Sequence, residues 1–600
     1  MKTDTFLPAP ISYRVQVLDV NTHLFNVTLT IAMPLAQQQV SLPVWIPGSY
    51  LVREFSKNLQ NLMAAQSRSK LNVVQRDKCT WKIACNPSKP LVISYQIYAH
   101  DNSVRTAWLD ATRGFFNGTS LCLKVDGQDQ SVHLLEVVEP VGSTGWSLAT
   151  GLTAAKINKR GWGTYSAASY DELADSPVEM GAFWSGTFTA YGVVHRFVVA
   201  GALPGFDGTR LMADTQSICD EVIRFWHGKF SGKAAAKNKP PFSHYLFMLN
   251  AVDDGYGGLE HRNSTALICN RKDLPRLGEA KVSEGYTTLR GLISHEYFHT
   301  WNVKRLRPVE FASYDYSQEN YTELLWFFEG FTSYYDDLLL RRAGLLDNAG
   351  YFKLINKTIN QVLQTPGASV QSAAQASFDA WVKYYRQDEN TPNATVSYYS
   401  KGALIALCLD LTLRLETHTT LDDVMRDLWQ RCKAGPMREA DVADALQALG
   451  KRTFAPELKS WVHGKGELPL RSLLEQHGAI VHDDPAQLAQ RLGLRVSEAQ
   501  GVLIKTVLSG SAAQKAGFAA GDEWLGVEGL KPQRGTASIG WRMQRLDDLL
   551  LYAGNAKKVI ALVSRDKQLL RLELTIPAPA TTWRLAVKDA AKVDAWLTHQ

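Results

Sequence analysis

The chain has 600 residues, of which 45% are hydrophobic, 21% charged and 10% aromatic, and its formal net charge is +6. This composition is typical of a folded globular protein, and the length predicts three or four domains rather than one core. The mild charge argues against a nucleic-acid-binding protein. The sequence contains no run of about 18 apolar residues, so no membrane span is predicted.

The cysteines and the N-terminal segment predict a cytoplasmic protein. The seven cysteines are scattered and form no C-x-x-C motif, which favours reduced thiols over a disulfide framework. The first residues, "MKTDTFLPAPISYRV", contain no apolar core of the kind found in signal peptides. We therefore expect no export.

Residues 1–170 are predicted to form a β domain. The segment "FNVTLTI" alternates strictly, with Phe25, Val27, Leu29 and Ile31 on one side, and "LVISYQIYA" alternates less cleanly. Clusters of Gly, Pro and Asn separate such segments, which is typical of a β-sandwich.

Around Leu211 the apolar spacing changes to a mixture of helices and strands. The segment "TRLMADTQSICDEVIRFWHG" predicts a helix and "HYLFMLNAV" predicts a strand. Farther on, "YTELLWFFEGFTSYYDDLLLRRAG" and "SKGALIALCLDLTLRLE" predict long helices. We expect one α+β domain over residues 171–340 and a helical domain over residues 341–478.

The segment "GLISHEYFHTWNVKRLRP" contains the pattern H-E-x-x-H. Positions i and i+4 share one face of a helix, so His295 and His299 can bind one metal ion together. Glu296 lies about 100° around the helix and is therefore expected to reach a water molecule rather than the metal. The pattern predicts a catalytic zinc site with Glu296 as general base.

A catalytic zinc ion needs a third protein ligand. The downstream candidates are Glu310, Glu319, Glu323 and Glu329. Only Glu329 lies within an otherwise apolar helix, where an unpaired carboxylate would be costly and a zinc ion would remove that cost. We favour Glu329 and expect one zinc ion per chain.

Two further features near this motif leave alternatives open. Asp336 is either a residue that orients one histidine or an ordinary surface acid. The basic cluster Lys304, Arg305 and Arg307 is either a solvated helix end or part of a substrate site.

The H-E-x-x-H motif and the later "WFFEGFTSYY" resemble the zinc peptidases of the aminopeptidase N type. Together with "VWIPGSYLVREFSKN" and "HEYFHTWNVKRLRP", they resemble the bacterial glycyl aminopeptidase family over essentially the whole chain. The resemblance implies a thermolysin-like catalytic domain with zinc on His295, His299 and Glu329. It also implies peptide substrates with a free N-terminus and a small first residue, glycine or alanine.

Two more site elements follow from this resemblance. The run Gly257-Gly258-Leu259-Glu260-His261 resembles G-x-M-E-N, whose Glu holds the substrate's α-ammonium group from an edge strand. Glycines there permit close approach of a substrate backbone. The segment "YYSKG" resembles Y-x-K-G, which implies that Tyr399, rather than its neighbour Tyr398, stabilises the oxyanion.

Residues 485–580 are predicted to form a separate unit, preceded by a linker at "HDDPAQ". The run from Gly510 to Asp522 resembles a PDZ domain, with "RLGLRV" in place of the carboxylate-binding loop. Such domains bind extended peptides or protein C-termini by strand addition. The alternative is a module that only packs against the rest of the chain.

The sequence thus predicts a multidomain α+β zinc aminopeptidase with an N-terminal β-sandwich-like domain, a catalytic domain, a helical domain and a PDZ-like domain. An endopeptidase using the same zinc site is one alternative. A peptide-binding adaptor with an inactive peptidase domain is another, and the presence of the complete set of candidate catalytic residues argues against it.

Overall fold

The computed structural model describes residues 11–228, 239–529 and 539–598. Residues 1–10, which contain most of the N-terminal segment discussed above, lie outside the described residues. Within the described ranges no helix has both the length and the apolar content that a membrane span requires.

The N-terminal region is built from short strands joined by tight turns. Its strands are β1 (Ile11–Asp19), β2 (Leu24–Ile31), β3 (Gln37–Ser41), β4 (Leu59–Gln66), β5 (Ser69–Leu71), β6 (Val73–Gln75), β7 (Thr80–Ala84), β8 (Leu91–Tyr98), β9 (Ala107–Leu109), β10 (Arg113–Phe116), β11 (Lys124–Val125), β12 (His133–Val137), β13 (Ser147–Thr150), β14 (Thr153–Ile157), β15 (Gly163–Ala167) and β16 (Val178–Gly181). The alternation in "FNVTLTI" and "LVISYQIYA" correctly predicted β2 and β8.

The remaining strands are fewer and more widely spaced along the chain. They are β17 (Trp184–Ala190), β18 (Val193–Ala200), β19 (His244–Val252), β20 (Gly257–Glu260), β21 (Ser264–Asn270), β22 (Arg307–Pro308), β23 (Pro436–Met437), β24 (Ala479–Pro485), β25 (Leu494–Ser497), β26 (Val502–Val507), β27 (Glu523–Gly529), β28 (Gly540–Arg542), β29 (Lys558–Arg565), β30 (Gln568–Thr575) and β31 (Thr581–Val587). The predicted strand "HYLFMLNAV" is β19.

Most of the long helices lie in the second half of the chain. The α-helices are α1 (Gly118–Leu121), α2 (Tyr170–Ala174), α3 (Gly208–His227), α4 (Glu284–Phe298), α5 (Leu325–Arg342), α6 (Asn348–Leu363), α7 (Ala373–Phe378), α8 (Thr391–Ala394), α9 (Tyr398–Glu416), α10 (Leu421–Arg431), α11 (Glu439–Gly450), α12 (Ala455–Glu457), α13 (Leu470–Gln476), α14 (Leu488–Leu492), α15 (Ala512–Ala516), α16 (Asp548–Ala553) and α17 (Ala590–Leu597). Short 3₁₀ turns occupy Phe55–Asn58, Arg271–Asp273, Val309–Phe311, Pro366–Ser369 and Asp379–Trp381, and a π turn occupies Leu458–Val462.

The chain divides into two compact units. The first comprises Met1–Tyr321, Tyr335–Leu345 and Met425–Asp441, and the second comprises Thr322–Tyr334, Leu346–Val424 and Val442–Gln600. In the first unit, an eight-stranded sheet (β14-β15-β12-β1-β2-β8-β4-β5) and two four-stranded sheets (β13-β16-β10-β9 and β11-β3-β7-β6) form the N-terminal β-rich domain. Most of their inward-facing side chains belong to one apolar core.

The first unit also contains a five-stranded sheet that carries the site described below. Its order is β17-β18-β19-β21-β20, so β20 is an edge strand. Strands β18, β19 and β21 are parallel neighbours, whereas β20 runs antiparallel to β21. Helix α4 packs against β20 and β21, which brings the end of this helix close to the exposed edge.

In the second unit, helices surround α9, whose residues from Lys401 to Leu413 are almost all buried. A six-stranded sheet of β25 to β30 has its own apolar core, and it lies in the chain between β24 and β31. These two strands pair antiparallel with Pro485 opposite Thr581. The overall organisation is therefore multidomain α+β, with a β-rich N-terminal domain and a helical C-terminal region.

Two sequence predictions need correction. The segment "HDDPAQ" is not a linker, because its first residues belong to β24 and are held by the ladder with β31. Helix α5 begins at Leu325, four residues later than the predicted start at Tyr321, and the Thr322 hydroxyl accepts a hydrogen bond from Leu324 N at that point.

Candidate active site

Helix α4 presents the H-E-x-x-H motif from a firmly anchored position. The side chain of Ser283 caps its N-terminus by accepting a hydrogen bond from Tyr286 N at 3.0 Å. On the face toward the sheet, the Tyr297 hydroxyl lies 2.8 Å from His195 Nε2, and its ring packs against Tyr245 and Phe247. Because Tyr297 faces the sheet, its neighbours in the motif are turned to other sides of the helix.

The two motif histidines have their ring orientations fixed by hydrogen bonds. His295 Nδ1 lies 3.0 Å from Asp336 Oδ2, and His299 Nδ1 lies 2.8 Å from the carbonyl oxygen of Asn302. Both partners are acceptors, so Nδ1 carries the proton in each ring and Nε2 presents a lone pair. The two Nε2 atoms are 3.1 Å apart, a separation that suits two ligands of one metal ion.

The turn after α4 supplies one of these contacts. Val303 has φ 107°, a left-handed conformation that is unfavourable for a β-branched residue. The turn is closed by the hydrogen bond from Val303 N to Leu306 O, and it directs the carbonyl of Asn302 toward His299. Of the two interpretations of Asp336, the orienting one agrees with its contact to His295.

Glu329 completes the group that could hold a metal ion. It lies on α5 with 2% of its surface exposed, whereas Glu310 and Glu323 are exposed. His295, His299 and Glu329 each offer one ligand atom, and these atoms all lie within 4.8 Å of one another. Two imidazoles and one carboxylate are a ligand set typical of catalytic zinc, so the residues present fit that ion.

Glu296 is placed by a glycine on the edge strand β20. A Cβ atom on Gly258 would lie 2.1 Å from Glu296 Oε1 and 2.5 Å from its Cγ, so only glycine leaves room for this side chain. Glu296 is 5% exposed. Its carboxylate therefore lies directly against the backbone of β20, beside the histidines and at the edge where an extended chain could bind.

Glu260 lies two residues along the same strand and is 4% exposed. Gly48, from the N-terminal β-rich domain, has φ 91°, and a Cβ atom there would lie 2.5 Å from Glu260 Oε1. Among the described residues, this Oε1 atom is buried and has no hydrogen-bond partner. Residues of one strand spaced by two face the same side of a sheet, so Glu260 faces the side on which Glu296 lies against Gly258.

A buried group of charges lies behind this strand. Lys304 Nζ is 2.7 Å from Asp175 Oδ1, and His261 Nδ1 is 3.1 Å from the same oxygen. Burial alone would raise the pKa of the Asp175 carboxyl, but Lys304, His261 and Arg262 outweigh it and hold this pKa well below its ordinary value. Asp175 is therefore ionised and ties β20 to the turn after α4.

The basic cluster is not a solvated helix end. Lys304 is 5% exposed and paired with Asp175. Arg305 donates hydrogen bonds to the carbonyl oxygens of Arg262, Thr300 and Pro241. These two side chains are structural because they bind groups of the protein itself.

Tyr399 lies in the first turn of α9, near Glu329. Burial, followed by the negative charge of Glu329, raises the pKa of the Tyr399 hydroxyl well above its ordinary value, so the phenol keeps its proton. Its neighbour Tyr398 is fully buried, with none of its surface exposed. The hydroxyl of Tyr399 lies 3.5 Å from that of Tyr385.

Two glycines allow α5 and α9 to approach this closely. A Cβ atom on Gly330 would lie 2.5 Å from Gly402 Cα, and one on Gly402 would lie 2.2 Å from Trp326 O. Gly330 follows Glu329 directly, and Gly402 follows Tyr399 by three residues. The helix crossing therefore sets the position of Tyr399 relative to Glu329.

Sequence reasoning did not identify the structural roles of Gly48, Asp175, Gly330 and Gly402. Each acts on a residue far away in the sequence, so no spacing within one segment could reveal it. The three glycines stand within segments already noted for their resemblance, Gly48 in "VWIPGSY", Gly330 in "WFFEGFTSYY" and Gly402 in "YYSKG".

Comparisons with known proteins agree with this geometry. The profile of the peptidase M61 N-terminal domain matches residues 12–182, and that of the M61 glycyl aminopeptidase domain matches residues 288–405. No curated protein sequence matches the chain significantly.

Solved structures extend the match to nearly the whole chain. The crystal structure of an aminopeptidase N family protein from Idiomarina loihiensis is 36% identical, with a TM-score of 0.91, and the alignment covers 98% of this chain and 100% of that one. An M1 zinc metallopeptidase from Deinococcus radiodurans is 14% identical, with a TM-score of 0.45, over 77% of this chain and 94% of that one. The chain belongs to the M61 glycyl aminopeptidase family and is a zinc-dependent hydrolase of the metallo-aminopeptidase class.

Proposed function

We propose that this protein removes the N-terminal residue from peptides with a free α-amino group, and that it prefers glycine or alanine at that position. The observation that carries the proposal is the placement of Glu260. Its buried carboxylate lies on the strand face on which Gly258 receives Glu296. Glu260 and Gly258 are two positions apart on this strand. A carboxylate at Glu260 therefore selects a substrate whose ammonium group is one residue from the peptide bond that is cleaved beside Glu296.

The metal ligands in this proposal are His295, His299 and Glu329, which hold one zinc ion per chain. The lone pairs of the two Nε2 atoms and the burial of Glu329 support this assignment. Zinc, when bound, supplies the Lewis acidity that activates a water molecule and a substrate carbonyl group. Asp336 and the carbonyl of Asn302 keep the two imidazoles oriented.

Glu296 is the general base. It accepts a proton from the attacking water and returns it to the amine that leaves. Its contact with the backbone of Gly258 supports this role, because a substrate bound along β20 would lie against the same carboxylate. The glycines Gly257 and Gly258 let that substrate backbone approach the strand.

Tyr399 donates a hydrogen bond to the oxygen that gains negative charge. The protonated state of its hydroxyl near Glu329 supports this role, because only a phenol with its proton can donate. Such a donor contributes about 3 kcal/mol to the stabilisation of a transition state.

Two observations support the preference for a small first residue. The chain belongs to the glycyl aminopeptidase family, and a turn of the protein lies close to Glu260. The turn that carries Gly48 lies against both carboxylate oxygens of Glu260. A first residue whose ammonium group binds this carboxylate has its Cβ atom nearby. We propose that this turn limits the size of that side chain.

The test compares free and blocked substrates with the isosteric variant Glu260→Gln. On alanine p-nitroanilide, kcat/KM should fall by at least about tenfold, because a charge-assisted hydrogen bond is lost. Zinc content should not change. Glu279→Gln is the matched control, since Glu279 is an exposed residue of the same unit that pairs with Arg276.

The alternatives give different results in the same experiment. Cleavage of N-acetylated peptides at rates close to those of free peptides would indicate an endopeptidase. Peptide binding without turnover by the zinc-loaded protein would indicate an adaptor. Either result would overturn the proposal.

The domain assignment remains part of the proposal, with domains at residues 1–170, 171–340, 341–478 and 485–580. We propose that the fourth is PDZ-like and binds a peptide or a protein C-terminus. Its separate apolar core and the succession of strand β26, helix α15 and strand β27 support this. We also propose a cytoplasmic location, which the seven free cysteine thiols support.

A further inference from the structure

Arg105 is a cation at the edge of the site that the reaction described above does not use. Its Nη2 atom donates a hydrogen bond to the carbonyl oxygen of Gly258 at 3.0 Å. A Cβ atom on Gly257 would lie 3.5 Å from its Nη1. The guanidinium therefore lies beside Gly257 and Gly258 of the edge strand β20.

The charge of Arg105 is not neutralised by the protein. Across residues 11–228, 239–529 and 539–598, its guanidinium makes this single hydrogen bond and no ion pair with a carboxylate. Its Nε atom is sealed from solvent and has no partner in those ranges. A half-buried guanidinium with unused donors is costly, and its presence needs an explanation.

The loop that carries Arg105 is held rigidly. Asn117 has no exposed surface, and its side-chain amide donates hydrogen bonds to the carbonyl oxygens of Val104 and Thr106, on both sides of Arg105. The hydroxyl of Ser103 accepts a hydrogen bond from Arg105 N at 3.2 Å. The position of this cation is thus built into the fold.

The order of the charged groups along β20 indicates which end of a bound peptide lies near Arg105. Glu260 lies at one end of β20, Glu296 lies against Gly258, and the guanidinium of Arg105 lies at the carbonyl oxygen of Gly258 and beside Gly257. Successive residues of a strand are about 3.3 Å apart, and two residues of extended peptide span about 7 Å. In the proposed pose, a peptide with its ammonium group at Glu260 runs along β20 toward Gly257, so that its second residue ends near Arg105.

We infer that Arg105 binds the free α-carboxylate of a dipeptide, so that short peptides with a small first residue are the preferred substrate class. This inference rests on the proposed function, because it takes Glu260 as the ammonium site. An anion at one end of the cleft and a cation at the other match the two charged ends of a dipeptide. A longer peptide has a neutral carbonyl group in that place and gains less from Arg105.

The test measures kcat/KM for Ala-Ala and for its C-terminal amide, Ala-Ala-NH₂, with the wild type, Arg105→Gln and Arg105→Lys. The wild type should prefer the free dipeptide. Arg105→Gln should lose about tenfold to a hundredfold on Ala-Ala, the range of a charge-assisted hydrogen bond, and less than about threefold on the amide. Arg105→Lys keeps the charge and should retain a preference for the free dipeptide.

Equal losses on the two substrates would overturn the inference, because they would show that Arg105 only holds β20 in place. No loss on Ala-Ala would overturn it as well. Zinc content and Tm establish that each variant is folded. If Arg105→Gln does not fold, the wild type alone provides the test. Its preference for Ala-Ala over Ala-Ala-NH₂ should fall as ionic strength rises. The absence of any preference would refute the inference.

The proposed function is judged separately, by one further substrate. Cleavage of Ala-Ala-NH₂ without cleavage of N-acetyl-Ala-Ala-NH₂ supports an aminopeptidase whatever the result at Arg105. Cleavage of the acetylated peptide would count against the ammonium site at Glu260 and leave the comparison at Arg105 unaffected.

Discussion

The two carboxylates beside β20 each occupy a space that a glycine leaves open. Glu296 fills the space that a side chain at Gly258 would need, and Glu260 does the same at Gly48. A methyl group at either glycine would push a carboxylate from its position. At the scale of single residues, the site therefore depends on glycine at positions 48 and 258 as well as on the two carboxylates.

The first prediction concerns the third metal ligand. Glu329→Ala should lose both zinc and activity, because two histidines alone bind the ion weakly. Glu323→Ala should keep both, because Glu323 is exposed. Metal analysis of the purified variants and turnover of alanine p-nitroanilide are the measurements.

The variant Glu296→Gln distinguishes a role in metal binding from a role in proton transfer, with the same measurements of zinc content and turnover. It should retain zinc and lose most activity, since the amide cannot act as a base. Full zinc in Glu329→Ala, or normal turnover in Glu296→Gln, would contradict these roles.

The second prediction concerns His195, which is buried behind α4. Burial lowers the pKa of this imidazole to about 4. The unfolded chain, with an ordinary pKa near 6.5, therefore binds a proton that the folded protein does not. The stabilisation is complete above about pH 6.5 and is lost as the pH falls toward 4.

Between pH 7 and pH 5 the wild type should lose about 2 kcal/mol of unfolding free energy through His195. His195→Gln, which keeps an acceptor for Tyr297, should lose less over this interval. Urea unfolding at both pH values measures the difference, and subtracting the variant from the wild type removes effects of the zinc ligands. Parallel pH profiles of the two proteins would refute the assignment.

At the scale of elements, the crossing of α5 and α9 holds Glu329 and Tyr399 together. The contact is made by glycine on both helices, with Gly330 against Gly402 and Gly402 against the carbonyl of Trp326. Glycine is unfavourable inside helices, by about 1 kcal/mol relative to alanine. Its presence at both positions is explained by the need for close backbone approach.

The third prediction tests this crossing. Gly402→Ala should improve helix propensity, yet it should destabilise the protein by about 1–3 kcal/mol because the new methyl group meets Trp326 O. It should also lower kcat/KM by at least about tenfold, since a misplaced catalytic group costs a hundredfold in some enzymes. Thermal unfolding and kinetics measure the two effects.

Gly205→Ala is the control for this substitution. Gly205 lies in an exposed turn, and a Cβ atom there would meet nothing within 4 Å. This variant should be close to the wild type in both measurements. A stable and fully active Gly402→Ala protein would show that the helices can separate without consequence.

At the scale of the whole molecule, the region that contains the six-stranded sheet of β25 to β30 is inserted between β24 and β31, which pair with each other. The chain leaves through β24 and returns through β31, where Ala486 N donates a hydrogen bond to Ala580 O. After β31, helix α17 buries Val593, Trp596 and Leu597. The residues that follow the inserted region are thus part of the core of the helical region.

The fourth prediction compares two ways of removing this region. Replacing residues 487–579 with Asn-Gly should close β24 and β31 into a tight hairpin and leave a folded zinc peptidase. A chain that ends at residue 480 should fold poorly, because it also loses Trp596, whose burial is worth about 3–5 kcal/mol. Gel filtration, zinc content and turnover of short amides decide the comparison.

A deletion variant that fails to fold would show that the inserted sheet supports the helical region. Polar side chains of the helical region form hydrogen bonds with the inserted region. Asn393 Nδ2 donates to Val507 O, Asn393 Oδ1 accepts from Ser509 N, and Gln490 bonds to Gln364. Such contacts orient the insertion without forming a shared core.

The sequence by itself determined the features that repeat within one segment. Strict alternation identified β2, a less regular alternation identified β8, and helical periodicity identified α3 and α9. The i, i+4 spacing of His295 and His299 indicated a shared ligand face, and the apolar surroundings singled out Glu329 among the later acids. These signals are local, because a helix or strand fixes which side chains share a face.

Only the tertiary structure decided which distant segments meet. It brought Gly48 against Glu260, Arg105 against Gly258 and Asp175 against Lys304, and it showed that "HDDPAQ" is a strand paired with residues about 100 positions later in the chain. Long-range pairing leaves no fixed spacing in a sequence, because the loop between two partners can take almost any length at little entropic cost. For that reason the metal site was readable from one helix and its neighbour, whereas the long-range contacts around Glu260 and Arg105 were not.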